Sequence, residues 1–282
     1  MNTIVWQMVP AQSWEPDWIE YIFSKTPHNT VIDINQEQFI DNSYIVYNSH
    51  VNINPYIEKM VAQNKRFGLI HLSDEWDRDS TDHYKYAHVV LRNYYRNINN
   101  DNVEFFPLGW MVTFPHTLPI KSTWDREFTW SFSGVVTKST RLAMAEAMET
   151  VPNGCRYFKP EWENWGSHHG HALTPTQMAD MYNNSLFVPC PRGNQNVDSF
   201  RVTEALQMGA LPIVEKSDYW ANLYGQDHPL IEIENWQDAP AVIKHLMSNM
   251  RNLDIQRALT YAWWIRYCNN LKNKITTSLI VV

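Results

Sequence analysis

The sequence points to an α/β protein built from two halves, each around a mainly parallel sheet. Short apolar runs alternate with longer amphipathic segments along most of the chain, which is the pattern of repeated strand–helix–strand units. The alternation breaks once, between Pro107 and Trp124, where Pro107, Pro115 and Pro119 lie in a stretch with little periodicity that suits a linker. It then resumes, and a chain of 282 residues is long enough for two such units.

In the first half the apolar runs predict strands at Thr3–Val9, Thr30–Ile34, Tyr44–Asn48, Phe67–Leu72 and Val89–Arg92. Helices fit between them at Pro16–Lys25 and Pro55–Asn64, each opening on a proline, whose missing N–H matters least in a first turn. The second half predicts strand Phe128–Gly134, helix Ser139–Glu149, strand Cys155–Phe158, helix Thr176–Asn183, strand Leu186–Cys190, helix Ser199–Met208 and strand Leu211–Val214. Ala239 to Asn270 reads as helical. The expected division is residues 1–115, residues 116–254, and a helical segment over residues 255–282 that packs back across the domains. Two such halves favour a central cleft for a ligand.

Composition removes several classes of function. The charge of −7, from 23 basic and 30 acidic residues, argues against a nonspecific nucleic-acid binder. No apolar run approaches a membrane span, and the start of the chain has no basic region followed by an apolar stretch, so the expected location is cytoplasmic. Cys155, Cys190 and Cys268 form no disulfide framework or metal-ligand spacing, and Asn183-Asn184-Ser185 is read as an accidental glycosylation match. With 13 Trp, 14 Tyr and 11 Phe, most rings are expected in the core, with some left to cover the C–H faces of sugars.

The richest segment runs from Leu186 to Val214: a strand, a polar loop, a helix, a glycine stop and another strand. The loop Arg192 to Ser199 leads into a helix N-terminus, where free N–H groups attract anions, and Ser199 suits the N-cap. Val202, Ala205 and Leu206 can face the core, whereas Arg201 and Glu204 share the other side. That pair suits a nucleotide diphosphate, with Arg for phosphate and Glu for two ribose hydroxyls. A simple surface ion pair is the alternative. Gly209 fits a left-handed helix stop.

Cys190-Pro-Arg-Gly193, Asp198-Ser-Phe-Arg201 and Glu204-Ala-Leu-Gln-Met-Gly-Ala-Leu-Pro-Ile-Val214 together resemble the signature of exostosin-like glycosyltransferases (family 47). Phe132-Ser133-Gly134 followed by Lys138 and Arg141 resembles that family's upstream element; the likeness covers Phe132–Val214 and fades in the first half. It implies a GT-B architecture and an inverting transfer from a UDP-sugar held by the C-terminal domain to a hydroxyl of a glycan or glycoprotein acceptor. Gly134, Lys138, Arg141, Arg192, Gly193, Ser199, Arg201 and Glu204 would bind the donor, with no metal required. Compactness and the missing secretion signal imply a microbial or viral member. His71-Leu-Ser-Asp-Glu75 resembles small xylosyltransferase-like proteins, which puts UDP-xylose first among donors, ahead of UDP-glucuronic acid, UDP-galactose and N-acetylglucosamine donors.

An inverting transfer needs a base for the acceptor hydroxyl. Strand Phe67–Leu72 leads directly into Ser73-Asp74-Glu75, and the carboxyl ends of parallel strands carry sites. Asp74 is the expected base, with Glu75 and His71 behind it. Asp77-Arg78-Asp79 has the form of a metal-holding pair, and His168, His169 and His171 could gather a zinc ion, but neither completes a recognisable ligand set. Trp162 and Trp165 are candidates for stacking on sugar. A non-catalytic carbohydrate- or nucleotide-binding protein of the same fold is the alternative. A dinucleotide dehydrogenase lacks its glycine fingerprint, and adjacent carboxylates such as Asp74 and Glu75 poorly suit glycoside hydrolysis.

Overall fold

The computed structural model describes residues 2–159 and 173–280. Trp162, Trp165, His168, His169 and His171 lie outside these residues. The chain divides into two compact units, Met1–Leu108 with Cys268–Val282, and Gly109–Tyr267.

The first unit follows the order β1 (Asn2–Trp6), α1 (Pro16–Ile22), β2 (His28–Ile32), β3 (Ser43–Asn48), α2 (Asn54–Ala62), β4 (Phe67–Leu72), β5 (Val90–Arg92) and β6 (Val103–Phe105). All pairings are parallel, in the order β2-β1-β3-β4-β5-β6. Every residue of β4 is buried, as expected for a strand covered on both faces, whereas β6 at the edge is only half-buried. On one face, Ile45, Tyr47 and Leu69 pack with Tyr56, Ile57 and Met60 of α2. Helix α1 buries Trp18, Ile19 and Ile22, and Trp18 Nε1 donates to the Pro107 carbonyl at 3.1 Å. Fully burying one such indole contributes on the order of 4–6 kcal/mol of gross transfer free energy.

The second unit contains β7 (Phe128–Val135), α3 (Arg141–Met148), β8 (Gly154–Lys159), α4 (Pro175–Asn183), β9 (Ser185–Cys190), α5 (Phe200–Gln207), β10 (Leu211–Glu215), α6 (Asp218–Tyr224), β11 (Ile231–Ile233), α7 (Ala239–Met247) and α8 (Met250–Ile280). Its parallel sheet has the order β11-β10-β9-β7-β8. Trp130, Phe132, Met144, Phe187, Leu211 and Ile213 form the centre of its core. The chain leaves β7 toward β8 and returns to add β9 on the other side. The strand order therefore reverses between β7 and β9, and a crevice opens at their carboxyl ends.

Several elements escape the hydrophobic pattern. β6 and β11 have three residues each, too few to show a period, and α6 follows β10 after only two residues. The helical C-terminal region is two helices, of which α8 continues to Ile280. From Cys268 onward α8 belongs to the first unit, where Leu271 and Ile275 are buried and Lys272 Nζ lies 3.2 Å from the centre of the Tyr21 ring.

The expected linker is an ordered strap laid along α5. Gly109 accepts a hydrogen bond from Thr203 Oγ1, the Met111 amide donates to Glu204 Oε1 at 3.3 Å, and Gln207 Nε2 donates to the His116 carbonyl at 2.6 Å. Trp110 is fully buried and stacks on His116 with centroids 4.8 Å apart. These bonds explain why the structural division falls after Leu108 and not at residue 115. Gly209 takes φ 62° at the end of α5, where Arg126 and Arg257 donate to the Met208 and Gly209 carbonyls at 2.7 and 2.8 Å.

Candidate functional site

Two loops meet at the switch point of the second sheet: Val136–Thr140 beyond β7 and Pro191–Ser199 beyond β9. They carry Lys138, Arg192, Gly193 and Ser199, with Gly134 and Arg141 at the flanking element ends. Lys138 Nζ donates to Asn194 Oδ1 at 3.3 Å, and Arg141 Nε donates to the Arg192 carbonyl at 3.4 Å, so the loops hold one another. Arg141 is buried, and its Nη1 donates to the Val135 carbonyl. The Gly193 amide closes a tight turn on the Asn196 carbonyl at 2.8 Å.

The helices starting here differ from their neighbours at their N-termini. Thr174 and Ser217 accept hydrogen bonds from the first-turn amides of α4 and α6. Thr140 and Ser199 occupy the same position before α3 and α5 and make no such bond. The Thr140 hydroxyl is committed to Glu215, while Ser199 Oγ is buried with no partner. Two helix starts therefore keep their first-turn amides uncapped by these hydroxyls beside the crevice, the arrangement that attracts an anion.

Arg201 and Glu204 are not a surface ion pair. Arg201 lies over the Phe132 ring at 4.7 Å and donates through Nη2 to the Ser133 carbonyl at 3.0 Å, leaving a buried Nε without a partner. Gly134 permits this approach: it has φ 148°, and a Cβ there would fall 2.4 Å from Arg201 Nη2. Glu204 is 2% exposed under the strap, and burial pushes its pKa up to about 7 despite the Met111 amide and the Arg201 charge.

Glu215, which the sequence reading passed over, ends β10 among these loops. Its Oε2 accepts from Arg192 Nε at 2.9 Å and its Oε1 from Trp236 Nε1 at 2.9 Å and from Thr140 Oγ1. Burial alone would raise its pKa, but these donors and the Arg192 charge hold it below the usual carboxylate range. The only available signal was a carboxylate closing an otherwise apolar strand.

In the first unit, the turn after β4 holds a buried polar network. Ser73 adopts φ 64°, its amide donates to Asn93 Oδ1 at 2.9 Å, and its hydroxyl donates to Glu15 Oε1 at 3.0 Å. Asp74, the expected base, is 3% exposed. It accepts from Arg92 Nη2 at 2.8 Å and from the Arg78 and Asp79 amides at 3.0 and 3.4 Å. Burial favours its protonated form, but the Arg92 and Arg78 bonds prevail and hold its pKa below the usual value. Asp74 is thus placed as a clamp on its own turn, with little affinity for a further proton. His71 is fully buried. Arg92 can only donate, so His71 Nδ1 accepts from Arg92 Nη1 at 2.8 Å and the Nε2 proton goes to Asp79 Oδ2 at 2.8 Å. Both imidazole nitrogens are occupied, and burial lowers the His71 pKa. Glu75 alone of the three candidates is only half-buried.

His71, Asp74 and Asp79 bring donor atoms within 4.8 Å of one another, the spacing of a metal site. Arg92 already supplies the positive charge there, donating to both His71 and Asp74. In Asp77-Arg78-Asp79, Asp77 pairs with Arg96 and lies 3.6 Å from Arg92 Nη2, while Asp79 pairs with His71. The buried Glu15 and Arg92 were missed, because only the fold brings the loop after β1 and the end of β5 to the Ser73 turn.

The sequence profile of the RXYLT1 C-terminal domain family matches residues 112–281, more than half of the chain. The chain belongs to this family. The human ribitol-5-phosphate xylosyltransferase 1 is 23% identical over an alignment of 203 residues that covers 64% of this chain and 45% of that relative, so the chain spans less than half of its length. Among solved structures, Anabaena HepE in complex with UDP and glucose superposes with a TM-score of 0.61 at 9% identity, covering 100% of both chains. An α-glucosyltransferase in complex with UDP-glucose and abasic-site DNA gives 0.58 at 14% identity, over 98% of this chain and 99% of that one. An α1,3-fucosyltransferase gives 0.54 at 11% identity, over 97% and 90%. Identities this low show the fold alone: this member of the RXYLT1 C-terminal domain family has the GT-B architecture. No helix among its described residues is long and apolar enough to cross a membrane.

Proposed function

We propose that this protein is an inverting glycosyltransferase whose second unit binds a UDP-sugar, with UDP-xylose the first candidate donor. The observation that carries this reading is the set of unsatisfied donors at the β7–β9 switch point. Ser199 Oγ and Arg201 Nε are buried without partners, and Arg192, whose side chain is 38% exposed, binds Glu215 through Nε beside them. Buried donors left unmade are costly, and a diphosphate satisfies them with charge-assisted hydrogen bonds. Glu204 offers carboxylate oxygens for the ribose hydroxyls.

In the reaction, an acceptor hydroxyl oxygen attacks the anomeric carbon as the bond to the diphosphate oxygen breaks. UDP leaves with its developing charge stabilised by Arg192, Arg201 and the amides at the start of α5. We assign the acceptor proton to the turn after β4, with Glu75 as the accessible carboxylate and Asp74 holding the turn. Xylose and an alditol-phosphate-bearing acceptor are suggested by the name of the human relative; a glycan or glycoprotein hydroxyl is the broader class.

A thermal-shift screen with nucleotide sugars tests the donor assignment, because a ligand bound only by the folded state raises Tm. UDP-sugars should raise the Tm of the wild type, and Arg201→Ala should abolish most of that rise. No response to any UDP-sugar at millimolar concentration would remove the reading. Glu75→Gln should keep UDP affinity and lose transfer by about a hundredfold or more, the range of general-base catalysis. Unchanged turnover would free Glu75 from that role. The bonded states of Asp74 and His71 favour a second reading, a nucleotide-sugar-binding protein without transfer, which predicts donor binding and no product.

A further inference from the structure

We propose that Glu215 is a positioning residue that holds Arg192 by Nε, so that the two terminal nitrogens of Arg192 meet the diphosphate of the donor. The inference rests on the donor site proposed above and assigns a role to a side chain that does not itself touch the ligand.

Glu215 ends the strand beside β9, and its carboxylate reaches three separate segments. It accepts from Arg192 in the loop after β9, from Thr140 in the loop after β7, and from Trp236 in the turn before α7. Its own carbonyl accepts from Trp220 Nε1 of α6 at 2.9 Å. A guanidinium on a loop would otherwise sample many rotamers, and fixing it before the ligand arrives removes that entropic cost from binding. Occupying Nε also leaves the forked Nη pair, the face of arginine that best matches phosphate oxygens. Because Glu215 also takes the Thr140 hydroxyl, it keeps that side chain off the first-turn amides of α3. One carboxylate thereby orients the cation and keeps a neighbouring helix start available.

The test is a double-mutant cycle on the full chain, reading affinity for UDP and for inorganic pyrophosphate by calorimetry. Arg192→Ala should weaken UDP binding about ten- to a hundredfold. Glu215→Gln should weaken it about tenfold, since a carboxamide opposes one donor set with its NH2 group. In the Arg192→Ala background, the same Glu215→Gln change should cost less than about twofold, because the group it positions is gone. Pyrophosphate should follow the same pattern, since the effect lies at the phosphates. A purely structural role would lower affinity equally in both backgrounds, and that result, or normal affinity in Glu215→Gln alone, overturns the inference. Wild-type protein that binds neither probe, or Arg192→Ala that binds both normally, instead overturns the donor site itself. If Glu215→Gln does not fold, Trp236→Phe removes one donor to the same carboxylate. It should give a smaller loss that also vanishes without Arg192; a loss persisting there overturns the inference.

Discussion

Replacing Glu204 with glutamine isolates a carboxylate that the strap and α5 enclose. The side chain is 2% exposed, and burial raises its pKa from an ordinary 4.5 to about 7. At about 1.4 kcal/mol for each tenfold change in proton affinity, ionising it in the unliganded protein costs roughly 3 kcal/mol. Between pH 4.5 and about 7 the folded protein holds more of this proton than the unfolded chain does. This contribution therefore makes stability fall as pH rises through that window and level off above it. Glutamine does not titrate and keeps an acceptor for the Met111 amide. Denaturation with UDP absent should place the two proteins within about 1 kcal/mol at pH 5 and favour the variant by up to roughly 3 kcal/mol at pH 8. UDP should reverse the order, because a carboxylate can accept from both ribose hydroxyls with separate oxygens and a carboxamide cannot. The ratio of wild-type to variant UDP affinity should rise between pH 5.5 and 8. A stability gap that does not change with pH would refute burial as the controlling effect, and equal UDP affinity at pH 8 would separate Glu204 from the ribose.

Gly134→Ala should weaken UDP binding at least tenfold, because the new methyl would lie 2.4 Å from Arg201 Nη2. It should also cost about 1–3 kcal/mol, since φ 148° is unfavourable for any residue with a Cβ; calorimetry reads both effects, and unchanged affinity would show that Arg201 needs no such passage. Asp74→Asn should destabilise the protein by about 3–5 kcal/mol near neutral pH, as expected when Arg92 loses a buried partner. The folded-state pKa of Asp74 lies below its ordinary 3.8, so the stabilisation is present above that value and lost as pH falls through the folded one. Denaturation of both proteins across acid pH should show the gap closing, and a gap unchanged below pH 3 would refute the charge pairing.

Much of the second unit was legible because its chemistry is local. The segment from Cys190 to Val214 carries its own strand, turn, helix N-terminus and glycine stop, so the position of Ser199 and the reversal at Gly209 could be read from neighbouring residues. The Pro107–Trp124 stretch was legible only as irregular. Its hydrogen bonds go to Thr203, Glu204 and Gln207 of α5, far along the chain, and no periodicity announces such partners. Asp74 illustrates the same boundary. Its place after β4 could be read directly, but its proton affinity depends on Arg92, which comes to it from the end of β5.

The two parallel-sheet α/β halves, and the gathering of Arg192, Ser199, Arg201 and Glu204 in one segment after β9, follow from the amino-acid order alone. Hydrophobic period and turn chemistry act over a few residues, and both survive in a bare string. The folded chain alone makes neighbours of β7 and β9, which brings Gly134 beneath the Arg201 guanidinium. It also decides that Glu215 ties Arg192 to Thr140 and Trp236, and that Asp74 is a buried partner of Arg92. Those outcomes depend on which strand ends lie side by side and which charges lose their water, and both are set by long-range packing.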